Sequence, residues 1–134
     1  MDAVVEFLKK SGFQYFSTVG LDGRPKVRPF QFMLEEGGNL YFCTSNQKPV
    51  YKEMQNQPFV EICASGEGSS WMRLAGKVRF VSDLGIKARI QEASPLVKSI
   101  YKTPDNPVFE AFSLEGAVAT IADFSGNPPK TYSL

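Results

Sequence analysis

The sequence predicts a mainly β fold with peripheral helices, in one domain over residues 1–134. Three observations carry that expectation. Runs of aromatic and β-branched residues recur along the chain, short turns rich in Gly, Asp, Asn and Pro join them, and helical periodicity is confined to a few short segments. Strands joined by short turns pair antiparallel. Six or seven such strands in so short a chain remove their exposed edges by closing into a small barrel.

Each element has its own signal. Val4, Val5, Phe7 and Leu8 make one apolar face of a first helix that Asp2 caps and Gly12 stops. Gln14 to Val19 reads as a strand, and Leu21-Asp22-Gly23-Arg24-Pro25 as a tight hairpin turn. A second strand follows from Lys26 to about Leu34, and Glu35-Glu36-Gly37-Gly38-Asn39 turns the chain into a third, Leu40 to Thr44. Pro49 suits the first turn of a short helix with Val50, Tyr51 and Met54 as a partial apolar face. Phe59 to Ala64 is a fourth strand, Gly66 to Ser70 a flexible connection, and Trp71 to Ser82 a long alternating fifth. Asp83 caps a helix carrying Ile86 and Ile90, Pro95 interrupts it, and Leu96 to Ile100 continues as a shorter piece. Phe109 to Phe124 reads as one or two strands around Gly116, and Asn127-Pro128-Pro129 breaks structure before a short tail.

Composition excludes several function classes. A net charge of +1 gives no electrostatic case for broad nucleic-acid binding. The absence of histidine removes Ser-His-Asp and Cys-His nucleophile designs and histidine-containing zinc sites. Two cysteines cannot make a four-cysteine site; Cys43 and Cys63 fall in apolar runs and read as buried reduced thiols. No apolar run is long enough to span a bilayer, so the expectation is a cytoplasmic protein without a membrane partner. Redox or group-transfer chemistry would need a borrowed cofactor.

Three constellations stand out. Alternation in the second strand puts Arg28 with Phe30, Phe32 and Leu34, a guanidinium on an apolar face, while Val27, Pro29, Gln31 and Met33 share the other. A buried charge needs a partner, either a core carboxylate such as Glu61 or a bound phosphate. Pro29 cannot donate to a ladder, which puts its stretch at an edge or bulge with backbone free for a ligand. Thr44-Ser45-Asn46-Gln47-Lys48 packs hydroxyls, amides and an ammonium between a strand end and a helix start, which suits either a plain cap or a phosphate monoester. In the fifth strand Trp71, Arg73, Ala75, Lys77 and Arg79 form a cationic stripe, either a solvated face or a surface for a ligand, a second subunit or single-stranded nucleic acid. Tyr101, Phe112 and Tyr132 are core, interface or pocket-wall candidates.

In this order, Phe16-Ser17-Thr18-Val19-Gly20-Leu21-Asp22-Gly23-Arg24-Pro25, Val27-Arg28-Pro29-Phe30, Leu40-Tyr41-Phe42-Cys43-Thr44-Ser45 with Lys48, Asn56-Gln57-Pro58-Phe59-Val60 and Trp71-Met72-Arg73-Leu74-Ala75-Gly76-Lys77-Val78 resemble the pyridoxamine 5′-phosphate oxidase-like flavin-binding split barrels. The resemblance covers roughly the whole chain, and its short bacterial branch with the nitroimidazole-resistance reductases is most similar. It implies a six-stranded antiparallel split β-barrel, a homodimer, and FMN at the subunit interface. It assigns the FMN phosphate to Arg28 and to the turn of Thr44, Ser45, Gln47 and Lys48. Pro29, Phe30 and Gln31 match the strand along the isoalloxazine ring, and Trp71 with Arg73 the strand that approaches from the partner. The turn is shorter than in true pyridoxamine phosphate oxidases and their long C-terminal extension has no counterpart, which sets the expectation against vitamin B6 oxidation. The missing histidine departs from nitroimidazole-resistance members that place one near the flavin.

The implied activity is an FMN-dependent oxidoreductase or flavin reductase, passing electrons from reduced nicotinamide to a small-molecule acceptor. The alternatives are a non-catalytic module for flavin, deazaflavin or haem, and a barrel for single-stranded nucleic acid. No side chain is identifiable as a catalytic acid or base.

Overall fold

A computed structural model describes residues 1–134. The chain runs α1 (Asp2–Ser11), β1 (Gln14–Val19), β2 (Pro25–Phe30), β3 (Leu34–Glu36), β4 (Asn39–Ser45), α2 (Pro49–Asn56), β5 (Phe59–Ser65), β6 (Trp71–Val81), α3 (Leu84–Ala93), α4 (Pro95–Tyr101), β7 (Phe109–Ala122) and β8 (Lys130–Ser133). All strands join one antiparallel sheet in the order β2-β1-β5-β6-β7-β4-β3, with β8 beside the second half of β7.

The two ends of that order are consecutive in the chain, with only Gln31-Phe32-Met33 between them. The sheet is therefore carried round on itself, and it is split at this bend because no ladder joins β2 to β3 or β4. The single strand expected from Lys26 to Leu34 divides here for a physical reason. The Phe32 N–H donates to the side-chain Oε1 of Gln14, and the Met33 N–H to Tyr41 O at 3.0 Å, so neither continues the β1–β2 ladder. Counting β2 with β3 as one bent strand and setting β8 aside leaves the six strands of the split barrel.

The Asp22-Gly23 turn forms as expected. The Gly20 N–H donates to Arg24 O at 2.7 Å, and Gly23 takes φ 79°, a conformation that favours glycine. The cap at Asp83 also holds, its carboxylate accepting from the Ile86 N–H at 3.0 Å. Asp2 is not a cap: Met1 stands in that position, and Asp2 lies in the first turn of α1. The Gly66–Ser70 connection contains a single 3-10 turn, closed by Gly66 and Ser70 hydrogen bonds. The tail after Pro129 is a strand, because the outer edge of β7 beyond β4 offers an open ladder.

The barrel is filled by Phe16, Phe42 and Phe112, whose rings lie 5.7–6.0 Å apart, with Ile62, Met72 and Leu74. A second cluster forms where α3 and α4 cover the outer face of β4 and β7, around Tyr41, Ile90, Tyr101 and Phe109. Tyr132 is half-buried against the main core. Cys63 is exposed, contrary to expectation, because alternation in β5 buries Val60, Ile62 and Ala64 instead. No helix is long and apolar enough to cross a membrane.

Candidate functional site

Helix α2 separates two polar groups of residues. On its inner side, Glu53 is only 8% exposed and faces Arg28 of β2. Arg28 Nη2 donates to Glu53 Oε1 at 2.7 Å, and Nη1 donates to Thr18 Oγ1 at 2.7 Å and Phe16 O at 3.1 Å. Thr18 Oγ1 donates in turn to the same Glu53 oxygen at 2.7 Å. The ring of contacts is closed within the protein. The carboxylate partner is thus Glu53 and not Glu61, which is exposed on the far face of β5. Two of the five N–H donors of Arg28 take no partner in this ring.

At the N-terminus of α2 lies the Thr44–Lys48 turn. Its main-chain donors are largely occupied: the Asn46 N–H reaches Val108 O at 2.9 Å, the Gln47 N–H reaches Ser45 Oγ at 3.2 Å, and the Lys48 N–H reaches Ser45 O at 3.1 Å. The Asn46 side chain pins the turn to the segment before β7 through Pro107 O at 2.8 Å, and the Gln47 amide donates to Asn46 Oδ1 at 3.0 Å. Free N–H groups therefore do not make this turn an anion site. Its side chains do. Thr44 Oγ1 is the one buried side-chain polar atom in the structure without a hydrogen-bond partner, and Lys48 forms no ion pair. A buried hydroxyl left unsatisfied costs about 1–3 kcal/mol, so this one calls for a partner from outside the chain, ordered water or a ligand.

Lys48 stands between two clefts. One, of about 220 Å³, is lined by Pro29, Phe30, Gln31, Met33, Cys43 and Thr44 together with Phe13 and the α4 residues Leu96, Val97, Ile100 and Tyr101. The other, of about 600 Å³, is polar and lined by Lys26, Lys48, Lys52, Asn46, Gln47, Asp22 and Glu53. Both acids of the second cleft have internal partners, Asp22 in Lys26 and the Arg24 N–H, Glu53 in Arg28. Lys48 and Lys52 carry no ion pair. An apolar slot and a cationic one meeting at a single lysine match a molecule with a flat ring and an anionic tail.

The predicted site residues thus fall in three groups. Pro29, Phe30, Gln31, Thr44 and Lys48 come together on one cleft, with Gln47 on its neighbour. Ser45 braces the turn, and Arg28 lines neither cleft. β2 pairs with β1, and only β3 pairs with β4, so Arg28 and the Thr44–Lys48 turn lie on strands that share no ladder. Trp71 and Arg73 lie at the opposite end of β6, roughly 33 Å and roughly 26 Å of strand from Val81, which is level with Ala111 and Cys43. Trp71 packs instead on Phe124, ring centroids 5.1 Å apart. Phe112 is core, and Tyr101 is a cleft wall.

Burial pushes the thiol of Cys43, on the cleft wall, up to about 12, with Lys48 opposing, which keeps it protonated at neutral pH. Sequence reasoning missed Glu53, Lys26, Lys52 and, apart from Tyr101, the α4 wall. Glu53 did leave a signal, since it sits three residues from Val50 and beside Met54 on the inward face of α2, where a carboxylate needs a cation.

A family model described as pyridoxamine 5′-phosphate oxidase matches residues 1–121. A crystal structure of a NimC/NimA family protein from Clostridium acetobutylicum is 34% identical, covers 100% of this chain and 93% of its own, and superposes with a TM-score of 0.91. A pyridoxamine 5′-phosphate oxidase-related, FMN binding protein from Nostoc punctiforme is 20% identical over 97% of this chain and 86% of its own, TM-score 0.67. A heme binding protein from Mycobacterium smegmatis is 16% identical over 95% of this chain and 55% of its own, TM-score 0.76. The last two share the fold. No curated protein matches the chain.

Proposed function

The chain belongs to the pyridoxamine 5′-phosphate oxidase family, beside its NimC/NimA members, and from that premise we propose that it is an FMN-dependent oxidoreductase acting as a homodimer. The observation that carries the reading is Thr44 Oγ1, a buried hydroxyl without a partner at the junction of an apolar and a cationic cleft. FMN would bring the hydride and electron transfer for which the chain has no side chain of its own. Thr44 donates to an anionic oxygen, and Lys48 neutralises the phosphate with Lys52 and Lys26 nearby. Arg28 enters through its unused donors, its charge being already balanced by Glu53. β2, an edge strand paired with β1 alone, presents Pro29, Phe30 and Gln31 to the ring.

Two features support the dimer. The apolar cleft is smaller than the 300–1,000 Å³ usual for ligand sites, so one chain encloses little of a flavin. The outer face of β2, β1, β5, β6 and β7 also leaves Val27, Tyr15, Phe59 and Val118 exposed across neighbouring strands, an apolar patch of the kind that a second copy covers. Arg73 belongs to that face and Trp71 borders it, so a partner could bring both to the cleft. The acceptor is a small molecule, the electron source reduced nicotinamide, and the compartment the cytoplasm. The chain has no histidine, which removes one common axial ligand of haem iron.

The test is mass analysis and the absorption spectrum of whatever copurifies, then turnover of reduced nicotinamide. FMN with turnover supports the enzyme, FMN without turnover leaves a binding module, and a colourless protein that takes up no FMN sinks the reading.

A further inference from the structure

We infer that the hydroxyl of Tyr101 donates a hydrogen bond to the flavin ring and holds the reduced ring more tightly than the oxidised one, a step that rests on the cofactor reading above.

Tyr101 ends α4, and two observations single it out. The residue is only 8% exposed, yet it lines the apolar cleft. Its hydroxyl makes no hydrogen bond within the chain, since Asn106 Nδ2 at 2.8 Å and the Thr103 N–H at 2.9 Å both donate to its main-chain oxygen. Unlike Thr44 Oγ1, the hydroxyl is not sealed from solvent, and the cleft is the open space that Tyr101 borders. A buried phenol usually finds a partner for its O–H. This one is left for a partner in the cleft, water before the cofactor binds and the cofactor afterwards.

The group is also held in place without a ligand. Val97 and Tyr101 turn onto the cluster of Ile90 and Phe109, while Leu96 and Ile100 face the cleft on the other side of α4. The Tyr101 ring packs on Phe109 with centroids 4.7 Å apart. A donor fixed in this way needs no reordering when the ring arrives. Burial pushes the phenol above its ordinary range, with the Cys43 thiol adding to the rise, so it stays protonated and able to donate at neutral pH.

Position assigns the hydroxyl to the ring and not to the phosphate. Lys48 stands where the apolar cleft meets the cationic one. Tyr101 comes from α4, whose other cleft residues, Leu96, Val97 and Ile100, are apolar like the body of the ring. A flavin ring gains negative charge on reduction, and a neutral donor aimed at its oxygens in a water-poor site favours that form. No carboxylate lines this cleft to oppose the effect.

The experiment measures the reduction potential of bound FMN, by equilibration with a reference dye, in the parent, in Tyr101→Phe and in Tyr41→Phe. Tyr41, 7% exposed, belongs to the same cluster but lies outside the cleft, so its variant loses the same atom away from the ring. Tyr101→Phe keeps the aromatic packing. It should weaken reduced FMN about tenfold more than oxidised FMN, which lowers the two-electron potential by about 30 mV. Tyr41→Phe should change that ratio less than about twofold. Riboflavin, with the same ring and no phosphate, should show the same fall in Tyr101→Phe. An unchanged or raised potential in Tyr101→Phe, or an equal fall in Tyr41→Phe, overturns the inference and leaves the cofactor reading standing. A fall seen with FMN and lost with riboflavin also overturns it, since the hydroxyl then serves the phosphate. A protein that takes up neither flavin overturns the cofactor reading first, and the inference with it.

Discussion

The two polar groups flanking helix α2 contain similar chemistry and differ in completeness. Around Glu53, a guanidinium, a hydroxyl and a carboxylate satisfy one another within 3.1 Å. Around Lys48, a buried hydroxyl and an ammonium have no protein partner. A closed set of polar groups stabilises the fold, and an open one is left for a partner from outside the chain. The difference shows that a cation on an apolar face can be balanced inside the chain, as Glu53 balances Arg28, with two guanidinium N–H donors still to spare.

The largest expected effect falls on the closed group. Arg28→Ala leaves the Glu53 carboxylate buried without its cation, and should cost about 3 kcal/mol of stability, the lower end of the range for a broken buried pair because Arg28 is 24% exposed. Denaturant unfolding measures it. Arg28→Met with Glu53→Leu should restore most of the loss, and no restoration would mean that Arg28 acts through something other than this pair.

Lys48→Ala should do the reverse, leaving stability within about 0.5 kcal/mol because no ion pair is lost. It should weaken FMN by about 1.5–3 kcal/mol, roughly ten- to 150-fold. Riboflavin, without the phosphate, should barely respond; equal losses for both would move the phosphate away from Lys48. Thr44→Val gives a sharper contrast of sign. Removing an unsatisfied hydroxyl should raise the stability of cofactor-free protein by about 1 kcal/mol and weaken FMN about fivefold. A fall in stability would show that Thr44 Oγ1 already has a partner in solution.

The smallest effect concerns the two thiols, one on the cleft wall and one on the outer face of β5. Cys43, held near 12 by burial, should resist iodoacetamide at pH 8, while exposed Cys63 reacts. Because folding raises the Cys43 value above its ordinary 9.0, the folded state holds that proton more tightly. Its stability should therefore fall as pH rises from about 9 through about 12, and not below. Alkylation followed by mass spectrometry, and unfolding midpoints over that window, check both. If the outer sheet face is the subunit contact, Cys63 should react faster as the protein is diluted below its dimer dissociation constant.

Much of this was legible in the residues. Aromatic and β-branched runs located β1 and β5, alternation located β6, Asp22-Gly23 the hairpin, and Asp83 a helix cap. What escaped depends on groups distant in sequence. Glu53 is 25 residues from Arg28, so only the folded position of α2 joins them. The Lys26–Lys48–Lys52 cluster needs the hairpin and α2 to meet at one cleft. The α4 wall was hidden because a short helix of this composition shows no single face to the eye, and its two apolar sides serve different neighbours.

The seam of the barrel hangs on one amide. Gln14 is fully buried, its nitrogen donating to Leu8 O at 3.1 Å and Ser11 Oγ at 2.9 Å while its oxygen takes the Phe32 N–H. It is a clasp that needs a donor at one end and an acceptor at the other, which neither Glu nor Met offers. The residues beside it form the cleft rim: Phe13 precedes Gln14, and Gln31 and Met33 flank Phe32. Unlatching the last turn of α1 therefore frees both sides of the rim together. The exchange rate of the Phe32 amide proton is then a gauge of how often the cleft's mouth swings open.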